Sequence, residues 1–92
     1  MFTVKWHSHF VRRARKFARV RPDLRGRLAD ILRDLEIDPY QPHLRLHALQ
    51  GELAGYHAVS VTYAYRIVLI MRIEATEIEL YDIGGHDEVY RP

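Results

Sequence analysis

Apolar and polar positions change rhythm along the 92-residue chain. Phe2, Val4 and Trp6 alternate with Thr3, Lys5 and His7, and that period of two predicts a short first strand. From Phe10 the period lengthens: Phe10, Ala14, Phe17 and Ala18 recur at helical spacing, with Ser8 placed to cap the helix. Pro22 suits the first turn of a second helix, whose stripe of Leu24, Leu28, Ile31, Leu32 and Leu35 follows steps of three and four. Gly26 weakens this helix by roughly 1 kcal/mol relative to alanine, a small loss against so long a stripe. Only a few residues separate the helices, so they are expected to pack as an antiparallel hairpin. Asp38-Pro39-Tyr40-Gln41-Pro42 closes the helical region, because each proline lacks an amide donor and disfavours helical geometry before it.

Leu44, Leu46 and Leu49 anchor the next segment, and Gly51 and Gly55 permit turns. The stretch 55–70, GYHAVSVTYAYRIVLI, then reads as two strands around a short connection. Val59 and Val61 alternate with Ala58 and Ser60, and Ile67 to Ile70 form an almost unbroken apolar run. A further strand is expected over 76–83, with Ile78 and Leu80 on one face. Gly84-Gly85 is expected to break it sharply before a polar tail, His86-Asp87-Glu88-Val89-Tyr90. The order β-α-α-β-β-β is that of an α+β fold, in which a helix hairpin covers one face of a mainly antiparallel sheet. Residues 1–92 are expected to form one domain, without repeats or low-complexity segments.

Charge adds an asymmetry that the net value of +2 conceals. Residues 1–45 hold eleven Lys or Arg against five Asp or Glu, whereas 46–92 hold three against seven. The first 22 residues contain seven basic groups and no acidic one, which favours an anionic partner, nucleic acid first and an acidic protein second. Arg12, Arg13, Arg15, Lys16 and Arg19 cover much of the first helix, and Arg45 follows the helical region. No segment approaches the roughly 18 apolar residues of a membrane helix, and the N-terminus lacks a secretory pattern. The chain has no cysteine, which excludes disulfide and thiol chemistry. A cytoplasmic protein with no membrane association is expected.

The six histidines, His7, His9, His43, His47, His57 and His86, form no HExxH or other close ligand pattern. No glycine loop has phosphate-binding spacing, so neither metal nor cofactor is expected. Metal-free cleavage of RNA needs less apparatus, because the substrate carries its own nucleophile, the 2′-hydroxyl. An arginine offers paired donors to the phosphate, a histidine exchanges protons near neutrality, and a tyrosine stacks on a base or orients the backbone. Arg66, His86, Tyr90 and His47 make such a set if the tail returns beside the central strands.

The runs LQGELAGYHAVSV, YRIVLI and ELYDIGGHDEVY resemble the RelE/ParE superfamily of toxin–antitoxin toxins, most closely its YafQ- and RelE-like ribosome-dependent endoribonucleases. The resemblance spans essentially the whole chain. Its distinctive pieces are Leu49-x-Gly51-x-Leu53-x-Gly55-Tyr56, Tyr65-Arg66-Ile67-Val68 and Gly85-His86-x-x-x-Tyr90. It implies that Arg66 contacts the scissile phosphate, His86 takes part in proton transfer, Tyr90 is the aromatic that follows, and His47 is the general base. It also implies that the helical Arg/Lys surface faces ribosomal RNA, that the substrate is messenger RNA on the ribosome, and that a small antitoxin is the partner. Operator DNA would be bound only through the antitoxin complex. The alternative branch, ParE-like, would block DNA gyrase with the same scaffold and no proton donor at His86; a third possibility is a degenerate member that mainly binds an antitoxin.

The chain departs from the YafQ-like pattern at Ala58 and Ser60, where relatives carry an acid and a histidine, and at Ala64, where they carry an acid. Asp82 stands where an arginine is usual, and from there it can compete for Arg66 or orient His86. Purely structural roles are also open: Arg66 paired with Asp82 or Glu79, His86 as a turn residue, Tyr90 as a tail anchor and His47 as a loop or antitoxin contact.

Overall fold

The computed structural model describes residues 1–90; Arg91 and Pro92, part of the expected domain, lie outside the described residues. Its elements are β1 (Thr3–Trp6), α1 (Ser8–Val20), α2 (Arg25–Ile37), β2 (His47–Ala48), β3 (His57–Ser60), β4 (Tyr65–Arg72), β5 (Glu77–Gly85) and α3 (His86–Tyr90). They form a five-stranded sheet in the order β1-β5-β4-β3-β2. Strands β3, β4 and β5 make the expected antiparallel meander, and β1 joins it in parallel beside β5. The β-α-α-β-β-β architecture and the helix hairpin on one sheet face are therefore as expected. Among the described residues, no helix is long and apolar enough to cross a membrane.

The stripes meet where their spacing directs them. Phe10 and Phe17 of α1 and Leu28, Ile31 and Leu35 of α2 pack on Val59, Ile67, Leu69, Ile78, Leu80 and Ile83 of the sheet, all buried. Burying side chains of this size stabilises the fold by roughly 1.5–3 kcal/mol each. Ile78, Leu80 and Ile83 cannot share a face under strict alternation. A bulge resolves the conflict: Val68 faces Asp82 and Leu69 faces Leu80, so Tyr81 is the extra residue that restores the phase.

Four details differ from expectation. His7, not Ser8, occupies the cap of α1 and makes no side-chain capping bond. Pro22 opens a single 3-10 turn, Pro22–Leu24, and α2 begins only at Arg25. A two-residue strand, β2, pairs antiparallel with β3 at the sheet edge. Gly84 and Gly85 do not break the third strand of the meander, because they remain paired with Arg66 and Tyr65. The chain then turns directly into α3, where Glu88 Oε1 accepts a hydrogen bond from the Gly85 amide at 3.0 Å. That contact is the acidic half of a capping box, and it explains why a helix follows where a polar tail was expected.

Candidate functional site

Residues directly opposite one another in an antiparallel pair project to the same face of the sheet. Ser60, Arg66 and Gly84 form one such row, and His47, Ala58, Val68 and Asp82 form the row two residues along. Both rows lie opposite the helix-packed set of Val59, Ile67 and Ile83. A Cβ added at Gly84 would sit 3.3 Å from Glu88 Cβ, so α3 rests on this second face as well. Arg66, His47 and the helix bearing His86 and Tyr90 thus share one side of the sheet.

Arg66 is half-buried at the start of β4. Its Nη1 donates to the carbonyls of Thr62 at 2.8 Å, Tyr63 at 2.7 Å and Tyr65 at 3.3 Å, cinching the β3–β4 turn. Neither alternative ion pair forms: Glu79 pairs with Arg72, and Asp82 pairs with Arg13 at 3.0 Å and His9 at 3.4 Å. Among the described residues Nε and Nη2 make no hydrogen bond of acceptable geometry and pair with no carboxylate, although the Tyr90 hydroxyl lies beside the guanidinium; such an edge is the fork that can grip a phosphate.

In α3, His86 is exposed and its ring meets Tyr90 edge-on, with centroids 4.4 Å apart. Its Nδ1 lies 3.8 Å from Asp87, not against Asp82, whose carboxylate is paired with Arg13 of α1. The Tyr90 hydroxyl is buried and, among the described residues, makes no hydrogen bond of acceptable geometry. Burial raises the phenol pKa above its ordinary value, while the charge of nearby Arg66 opposes the rise. Tyr90 thereby links the imidazole to the guanidinium. It also walls a concavity of about 350 Å³ with Leu49, Gln50, Glu52 and Leu53, at the small end of ligand-sized pockets.

His47 stands exposed at the far edge of the same face. Its Nδ1 lies 2.9 Å from the Arg45 carbonyl oxygen. A carbonyl only accepts, so in the neutral ring Nδ1 carries the hydrogen and Nε2 keeps the lone pair. Arg45 presents that carbonyl from a left-handed backbone, φ 55°. Sequence spacing carried no sign of this orientation.

Among the proposed RNA contacts, Arg12, Arg15, Lys16 and Arg19 point outward from α1 without an ion pair among the described residues, and Arg45 is likewise exposed and unpaired. Arg13 differs. Its side chain is only 26% exposed and is committed to Asp82 and Glu88. Glu88 was not singled out from the sequence, although an acid three residues after Gly85 is a helix-start signal. Ala58 and Ser60 are buried on the site face and Ala64 is exposed at the turn, so none of the three supplies an ionisable group.

No family model matches the chain, and no curated protein matches it. Solved structures do. The chain is similar to YafQ from E. coli strain BL21(DE3), with 15% identity, 99% of this chain and 100% of that chain covered, and a TM-score of 0.81. It is similar to a YoeB/ParE toxin from Agrobacterium tumefaciens, with 18% identity, coverage of 92% and 99%, and a TM-score of 0.75. It also matches a chain of the toxin–antitoxin complex RelBE2 from Mycobacterium tuberculosis, with 21% identity, coverage of 92% and 98%, and a TM-score of 0.62. At these identities what is shared is the fold, that of the RelE/ParE-like toxins.

Proposed function

We propose that the protein is the toxin of a toxin–antitoxin pair and a metal-independent endoribonuclease that cuts messenger RNA on the ribosome. The observation that carries this reading is the Nε/Nη2 edge of Arg66, paired with no carboxylate among the described residues and on the same sheet face as the helix that presents His86 and Tyr90. In the proposed reaction His47 Nε2 takes the 2′-hydroxyl proton, and the 2′-oxygen attacks the adjacent phosphorus. Arg66 holds the charge that builds on the phosphorane oxygens. His86, in its protonated form, gives a proton to the departing 5′-oxygen, and Tyr90 stacks on or orients the flanking nucleotide. The products are a 2′,3′-cyclic phosphate and a 5′-hydroxyl, so protons and charge balance without a metal.

The outward cations of α1 suit the phosphate backbone of ribosomal RNA, and their attraction is screened by salt. A small antitoxin partner is supported by the fold shared with a chain of the RelBE2 toxin–antitoxin complex. The reading places the protein in the cytoplasm, where its substrate is.

The test is to incubate the purified protein with ribosomes carrying a defined message and to map the RNA ends. Cuts with cyclic-phosphate termini are expected, and His86→Ala should slow cleavage by roughly 10²-fold or more with little change in melting temperature. Inhibition of gyrase supercoiling with translation intact would overturn the nuclease reading in favour of the ParE-like one.

A further inference from the structure

We infer that Arg13 is the positioning residue of the site. Its guanidinium bridges Asp82 and Glu88 at the open edge of β5, docks α3 on the sheet, and thereby sets where His86 and Tyr90 stand relative to Arg66. The docking rests on geometry alone; only its catalytic consequence rests on the nuclease reading above.

Strand β1 ends with Trp6 opposite Leu80, so among the described residues the last residues of β5 have no strand beside them on that side. Arg13 reaches across this edge from α1. Its Nε lies 3.0 Å from Asp82 Oδ1, and its Nη2 donates to the Ile83 carbonyl and to Glu88 Oε2, both at 3.4 Å. The second oxygen of Glu88 is held by the Gly85 amide, so one carboxylate closes the first turn of α3 and ties it to α1. A helix of five residues does not stand by itself in water. Besides this bridge it has the buried Val89 and the half-buried Tyr90 to hold it.

Gly84 makes the bridge possible, because a Cβ there would lie 2.9 Å from Arg13 Nη2. The same contact settles the role of Asp82. Its carboxylate is 12% exposed and sits on the Arg66 side of the sheet, yet Arg13 satisfies it and, among the described residues, leaves the Arg66 fork without a carboxylate partner. A carboxylate left buried without that partner would seek another cation. Arg13 therefore supports the site twice, by holding α3 and by keeping Asp82 from Arg66.

The experiment compares wild type with Arg13→Ala, Arg13→Lys and Glu88→Gln. Carbon-13 NMR follows the Tyr90 phenol titration, amide exchange follows α3, and ribosomal cleavage is separated into kcat and KM. In Arg13→Ala, Tyr90 is expected to titrate closer to the ordinary phenol range and α3 amides to exchange faster. Displacement of the reacting groups should lower kcat roughly 10- to 100-fold, while KM moves less than about twofold because Arg12, Arg15, Lys16 and Arg19 remain. Arg13→Lys keeps the charge but not the fork, so it should recover only part of the loss. Glu88→Gln should weaken α3 alone and add little in the Arg13→Ala background. Unchanged Tyr90 titration and α3 exchange in Arg13→Ala would overturn the proposal. A rise in KM with kcat intact would also do so, marking Arg13 as one more RNA contact. If the wild-type protein cuts no message, the nuclease reading falls while the NMR measurements still decide on the bridge.

Discussion

At Arg66, Nη1 holds three backbone carbonyls of the β3–β4 turn while the opposite edge of the guanidinium pairs with no carboxylate among the described residues, so a substitution there changes two things. Arg66→Lys removes the fork that fits a phosphate and keeps a single cation able to hold part of the turn. We expect cleavage to fall roughly 10²-fold, with destabilisation near the 1 kcal/mol that a lost hydrogen bond typically costs. Thermal melting and single-turnover cleavage on the same preparation separate the two effects. Tyr90 gives a prediction in pH. Its phenol pKa is raised by burial, so the neutral form is the one the fold favours. The stability it contributes is complete below the unfolded phenol value of about 10 and is lost as pH rises through the higher folded value. Amide exchange of α3 should therefore accelerate selectively at strongly alkaline pH. Uniform loosening of α3 and the core together would show that Tyr90 is not the group responsible.

Among the elements, β5 decides most. Its bulge puts Ile83 in the core and Asp82 on the other face, where Arg13 reaches it across the edge, and Gly84 leaves room for α3 to rest on the sheet. Gly84→Ala inserts a methyl group 2.9 Å from Arg13 Nη2 and 3.3 Å from Glu88 Cβ. The guanidinium end can swing away but the helix Cβ cannot, so α3 should be displaced. A loss of roughly 1–3 kcal/mol, typical of overpacking, is expected. Amide exchange should show it concentrated in α3, with the β3–β4 pairing unaffected. At the core, Leu35→Ala removes a fully buried side chain of α2 and should cost about 2–5 kcal/mol by denaturant titration. Because Leu35 packs on the helix-covered face, that change should lower the folded population without altering the catalytic pH profile.

For the whole molecule, one sheet separates two tasks. Its covered face holds the core, and its other face carries Arg66, His47 and the α3 pair, while α1 turns to solvent cations that are unpaired among the described residues. Replacing Arg12, Arg15 and Arg19 together by serine should weaken ribosome binding and flatten its salt dependence by about three charges' worth, with kcat largely kept. Equal salt slopes for wild type and variant would remove this face from RNA contact.

Periodicity determined the strand and helix order, the helix hairpin and the covered face, because burial of alternate or every third-to-fourth side chain is written locally along the chain. Arg66, His86 and Tyr90 could be named as candidates for a similar reason: few residue types grip a phosphate or move a proton. What neighbours do at long range was not legible. The bulge at Tyr81, the pairing of Asp82 with Arg13 and the docking of α3 arise where β1 stops short of the end of β5. Sequence marked Arg13 as one surface cation among five on α1, and only the packed sheet edge made it an internal one. Charge type is a property of the residue, but its partner is set by three elements meeting in space, and no spacing along the chain records that meeting.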